Sequence, residues 1–235
     1  IKQLITRFYR LFADKDPDWE KIHIMHAWGG KNLEGVYYNA CKDNNVQPIN
    51  FTEASSQHGR HEAFNYICLQ LFKNQIASKY DYSIIDEAQD FPVWFYRLLL
   101  KLTRNYKIIW GYDECQNILE MNLQDPITTF GTFTNKKPII DLQKIGQDIV
   151  LHKCYRSYKP VLVGAFTLGL GIYDKIIQMP ENAAMWEDLG FEIEQGDYTK
   201  GDTMVISRPD SNSLSVPDKE YNHQESLKCK SFPNI

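Results

Sequence analysis

Two adjacent carboxylates, Asp86 and Glu87, follow directly on the apolar run Tyr82-Ser83-Ile84-Ile85. Acidic groups at the end of a buried strand sit where open α/β sheets take their ligands. A pair of this kind suits a magnesium–nucleotide site. The first carboxylate can hold the metal, commonly through water, and the second can orient or deprotonate an attacking water. The same two residues would also serve as the acidic start of a helix, because carboxylates favour a first turn. Asp90, four positions beyond Asp86, reads as a helix cap ahead of Pro92. It would equally complete a three-carboxylate set with Asp86 and Glu87 for a metal-dependent nuclease, although no further carboxylate or histidine follows at ligand spacing.

The elements needed to position these groups follow from hydrophobic periodicity. Residues 80–110 read as strand, helix, strand: Tyr82–Ile85, then a helix burying Phe95, Leu98, Leu99 and Leu102, then Lys107–Trp110. This order is that of a βαβ unit in a parallel sheet. Upstream, Ile1, Leu4, Ile5, Phe8, Leu11 and Phe12 mark an amphipathic helix over 1–13, and Ile22–Met25 a short strand. A helical stripe runs from about Arg60 to Ser78. Downstream, Asp148–His152 and Thr203–Ile206 read as strands, with a helix from Pro160 to about Gly169 between them.

The string Ile84-Ile85-Asp86-Glu87-Ala88-Gln89-Asp90 resembles motif II of the UvrD/Rep-type superfamily 1 helicases. One helix and one strand later, Gly111-Tyr112-Asp113-Glu114-Cys115-Gln116-Asn117-Ile118 is similar to motif III, with Tyr112 inserted after the glycine. Leu151-His152-Lys153-Cys154-Tyr155-Arg156-Ser157 resembles motif IV, with Cys154 where an asparagine is common. His26-Ala27-Trp28-Gly29 is partly similar to motif Ib, a loop that touches the nucleic-acid strand. The likeness covers roughly residues 20–30 and 80–215, and its specificity lies in 84–118 and 151–157.

The resemblance implies an α/β fold with a RecA-like parallel sheet flanked by helices. Residues 1–145 would form a partial first RecA-like domain with a reduced insertion at about 31–80. Residues 146–235 would begin a second. It implies ATP as substrate and Mg²⁺ as cofactor, with Asp86 and Glu87 at the metal, Glu87 as the group that polarises water, and Gln116 sensing the γ-phosphate. Arg156 would stabilise charge on the transferring phosphoryl group. Asp86, Gln89, Asp113 and Tyr155 would contact the nucleotide, Tyr155 by stacking on the base. His26 and Trp28 would meet single-stranded DNA, or RNA, through a phosphate contact and base stacking. Trp28 would also fit a core position beside a loop histidine. Translocation would run 3′ to 5′.

The lysine-bearing phosphate loop is not found. Gly29-Gly30-Lys31 is followed by Asn32 and lacks the upstream glycine of the phosphate-loop pattern. Motifs V and VI are likewise not found. With a helical stripe already running at Ile1, the chain is expected to be a piece of a longer ATP-dependent helicase that binds ATP weakly or not at all by itself. A non-catalytic binding module on a helicase-like scaffold is the alternative that the missing phosphate loop leaves open.

Composition bounds these readings. With 43% hydrophobic and 13% aromatic residues, the 235-residue chain has material for a packed core. A net charge of -4 means that any nucleic-acid contact must be a local basic stripe. The five cysteines include no CxxC pair, which argues against a disulfide framework or zinc site and for a reducing compartment. No apolar run approaches the roughly 18 residues of a membrane span, and a cytoplasmic protein is expected.

Overall fold

The computed structural model describes residues 1–113, 126–144, 146–170, 180, 182–196 and 203–214. The chain divides into two compact units, Ile1–Leu142 and Gln143–Ile235. The class is mixed α/β, with a two-stranded parallel sheet in the first unit.

In the first unit, α1 (Lys2–Ala13) ends on the left-handed residue Asp14, whose N–H bonds the Arg10 carbonyl at 2.9 Å. Its apolar side, including Leu4, Phe8, Leu11 and Phe12, is exposed. The strand expected at Ile22–Met25 does not form a ladder. The following backbone caps α2 (Val36–Asp43) instead. Carbonyls of His26, Ala27 and Trp28 accept from the first-turn N–H groups of Val36, Tyr37 and Tyr38 at 2.8, 3.0 and 3.0 Å. Helix starts leave such donors without intrahelical partners, and this loop supplies the acceptors. The approach is close enough that a Cβ at Gly35 would lie 2.2 Å from the Gly29 Cα, so both positions require glycine.

The helix expected from about Arg60 begins earlier. α3 (Phe51–Phe72) starts at the cap Asn50, whose side chain accepts from Glu53 N at 2.9 Å, and is interrupted at Gly59 with φ 78°. Its buried side, Ala63, Ile67, Cys68 and Leu71, joins α4 (Val93–Leu102), which contributes Phe95, Leu98, Leu99 and Leu102. Phe64 and Phe95 meet at 5.2 Å between ring centres. This two-helix layer forms the main core.

β1 (Ser83–Ile85) and β2 (Ile108–Trp110) pair in parallel through α4, in the register Ser83–Ile108, Ile84–Ile109 and Ile85–Trp110. Side chains alternate along a strand, so one face carries Ser83, Ile85, Ile108 and Trp110. Ile85 and Ile108 are buried in the core, whereas Ile84 and Ile109 on the other face are exposed. α5 (Pro126–Phe130) packs on α4, and Arg97 of α4 donates to the carbonyls of Thr128 and Thr129 at 2.8 and 3.0 Å.

In the second unit, α6 (Lys159–Gly169) and α7 (Ala183–Asp188) accompany an antiparallel pair, β3 (Glu192–Gln195) and β4 (Val205–Ser207). β4 overlaps the strand expected at Thr203–Ile206. Asp148–His152 makes no ladder. His152 instead offers its carbonyl to the Arg208 guanidinium. No helix among the described residues is long and apolar enough to cross a membrane.

Candidate active site

β1 ends at Ile85, and backbone pairing with the exit of β2 continues past it. Gly111 N donates to Ile85 O, and Ala88 N to Gly111 O, both at 2.9 Å. Between these two bonds the chain turns outward and presents Asp86 and Glu87 to solvent. The turn requires Glu87 to take a left-handed conformation, φ 51° and ψ 49°. L-residues adopt this region at a cost, and such strained residues gather at functional sites.

Side chains hold the turn. Asp86 Oδ1 accepts from Glu87 N at 3.2 Å, and Glu87 Oε2 accepts from Gln89 Nε2 at 2.7 Å. Gln89 is buried, and its Oε1 accepts from Asp113 N at 3.1 Å. Both polar ends of this glutamine are therefore used inside the protein, one on the acid loop and one on the chain leaving β2. Tyr96 donates its hydroxyl to the Ala88 carbonyl from below. Burial, followed by the charge of Asp90, pushes this phenol up from its usual range and keeps it a donor.

Asp90 does not cap the following helix. Ala88–Asp90 forms a 3₁₀ turn, and α4 begins after Pro92. The first-turn donor Trp94 N is met from α3 by Asn65 Oδ1 at 3.3 Å. The Oδ1 atom of Asp90 is buried with no hydrogen-bond partner. Among the described residues no three His, Cys, Asp or Glu side chains form a metal-holding group, so the nuclease arrangement of Asp86, Glu87 and Asp90 is not assembled.

Asp113 is half-buried beside Gln89, whereas Gln116 lies outside the described residues. Tyr155 and Arg156 are exposed and belong to the second unit. His26 is exposed. Trp28 packs into an aromatic cluster: its ring stacks on Phe64 at 5.3 Å and meets Phe51 and Tyr37 edge-on at 5.6 and 6.4 Å. The ring is partly buried against the core of the first unit.

Three parts of the site carry no local signal in the amino-acid sequence. These are the bracing by Gln89, the Tyr96 bond beneath the loop, and the left-handed Glu87. The Gln89 and Tyr96 spacings from Glu87 are readable only once the turn between them is known. Compared with family models, with curated proteins and with solved structures, the chain matches none.

Proposed function

We propose that this chain is part of an ATP-driven superfamily 1 helicase, with RecA-like architecture around β1 and β2 and the beginning of a second RecA-like domain in the second unit. The observation that carries this reading is the acid loop itself. Asp86 and Glu87 leave the carboxyl end of a parallel strand, and Glu87 is tied through buried Gln89 to the backbone of Asp113. In the resemblance, motif II supplies the metal-binding carboxylates and motif III leads to Gln116.

The donor set fits Mg²⁺, a hard cation that takes oxygen ligands and keeps much of its water. The Asp86 carboxylate is exposed, and its one described hydrogen bond is the long contact from Glu87 N. Asp86 would hold the ion, which would supply neutralising charge to the nucleotide's phosphates. Glu87 orients and polarises the attacking water, and its Oε2 stays fixed by Gln89 Nε2. Gln89 positions Glu87 and links it to Asp113. By the resemblance, Arg156 would stabilise phosphoryl charge and Tyr155 would stack on the adenine. Single-stranded DNA is the track, with His26 at the strand-facing loop, and movement is 3′ to 5′.

The test is the Glu87→Ala variant of the full-length protein. Steady-state ATP hydrolysis stimulated by single-stranded DNA should disappear while equilibrium ATP binding stays within about threefold of wild type. Hydrolysis at the wild-type rate would remove Glu87 from the mechanism.

A further inference from the structure

We infer that Arg208 is a positioning residue, one that fixes the Cys154–Ser157 turn and so sets where the Arg156 side chain emerges. Arg208 is 4% exposed, and among the described residues its hydrogen-bond acceptors include no carboxylate. A buried guanidinium bonded to carbonyls and a hydroxyl is tolerated only where its fixed fork of donors is well satisfied. Here Nε donates to Ser213 Oγ at 3.0 Å. The terminal nitrogens donate to the carbonyls of Leu189, His152 (3.3 Å) and Asn212 (2.6 Å). The Phe191 ring lies under the cation at 5.3 Å.

These acceptors belong to three separate stretches of chain, and one of them runs directly beside the turn that carries Arg156. Cys154 N donates to Asn212 O at 3.1 Å, and Leu214 N donates to Ser157 O at 3.2 Å. Both ends of the Cys154–Ser157 turn are therefore pinned to Asn212–Leu214, and Arg208 grips that segment at Asn212 and Ser213. The upstream end is gripped as well, at His152 O. Gly190 completes the fit, since a Cβ there would lie 2.3 Å from the same His152 oxygen. Arginine suits this task and lysine does not, because a planar fork can serve several carbonyls at once and a point charge cannot.

The turn contains its own reporter. Burial works to raise the Cys154 thiol, but the backbone N–H groups of Arg156 and Ser157, the charge of Arg208 and the Ser157 hydroxyl outweigh it. The thiol is held below the ordinary cysteine value. Those N–H groups point at the sulfur only while the turn keeps its shape.

The catalytic consequence rests on the reading of Arg156 given above, whereas the positioning does not. The test on this chain is the pH dependence of iodoacetamide alkylation at Cys154, followed by peptide mass, in wild type, Arg208→Lys and Ser213→Ala. Wild type should react at lower pH than an ordinary cysteine. Arg208→Lys should move the profile up toward about 8.5, and Ser213→Ala should move it part of the way. Ser213→Ala removes a single acceptor and decides the matter if the lysine variant does not fold. Unchanged profiles in the folded variants would overturn the inference.

In the full-length protein, Arg208→Lys should lower kcat for ATP about tenfold with KM within about twofold. In an Arg156→Lys background it should lower kcat no further. If Arg156→Lys alone leaves kcat intact, the functional reading of Arg156 falls and the alkylation profiles still decide the positioning. If Arg156→Lys lowers kcat and the two losses multiply, Arg208 does not act through Arg156 and the inference fails.

Discussion

Replacing Glu87 by glycine should leave the first unit more stable than replacing it by alanine, the reverse of the order at an ordinary helical or turn position. Glu87 holds φ 51° and ψ 49°. For an L-residue the left-handed conformation costs about 1–2 kcal/mol, which alanine retains and glycine escapes. Glycine in turn surrenders about 0.5–1 kcal/mol of chain entropy on folding. Both variants lose the Gln89 Nε2 to Glu87 Oε2 bond, so that contribution cancels between them. The net advantage of glycine spans about 0–1.5 kcal/mol and centres near about 0.75 kcal/mol, or about 2–4 °C in melting temperature for a unit of this size. Thermal unfolding of the two variants by near-ultraviolet circular dichroism reads the difference. Alanine equal to or above glycine would refute the left-handed acid loop, and with it the geometry that turns both carboxylates to solvent.

Three further perturbations address the scaffold. Leu98 is 0% exposed in the α3–α4 core, and Leu98→Ala should cost about 3–5 kcal/mol, read as a lower urea midpoint with an unchanged slope. Gly190→Ala must place a Cβ 2.3 Å from His152 O at φ +83°, and it should destabilise the second unit by at least about 2 kcal/mol, measured by hydrogen exchange at the Cys154 amide. Burial pushes the Tyr37 phenol up, with the Ile49 N–H bond opposing it. Because the folded value lies above the unfolded value of about 10, the stability this group confers is complete below that pH and is lost as pH rises past it. Urea midpoints should fall above about pH 10, and Tyr37→Phe should flatten that fall.

The legibility of this chain follows the range of its interactions. The β1–α4–β2 unit was readable because Ile84-Ile85, the Phe95–Leu102 stripe and Ile108-Ile109 are local patterns with a fixed period. The acidic pair was readable because it is contiguous. Ile22–Met25 reads as a strand because a short apolar run carries no mark of its partner. Its continuation through His26 to Trp28 meets the α2 start, a pairing set by the Gly29–Gly35 approach. The first half of α3 leaves no stripe in the sequence because Thr52–Arg60 offers only Ala54 to the core. The cap at Asn50 was the signal available there. Asp90 has the place of a cap before Pro92, yet the acceptor comes from Asn65 on another helix, which no local rule reveals. The Arg208 cluster is hidden for the same reason, since two of its acceptors, the carbonyls of Leu189 and His152, are far from it in sequence.

Iron-directed cleavage tests the central claim most directly. Fe²⁺ substitutes for Mg²⁺ in the ATP complex of the full-length protein, and ascorbate and peroxide then cut the backbone close to the ion. Cuts should fall beside Asp86 and Glu87 and near Gly111, should require ATP, and should vanish in Asp86→Asn. ATP-dependent cuts elsewhere, with the segment from Ile84 to Asp90 left whole, would contradict the assignment of the acid loop as the nucleotide's metal site.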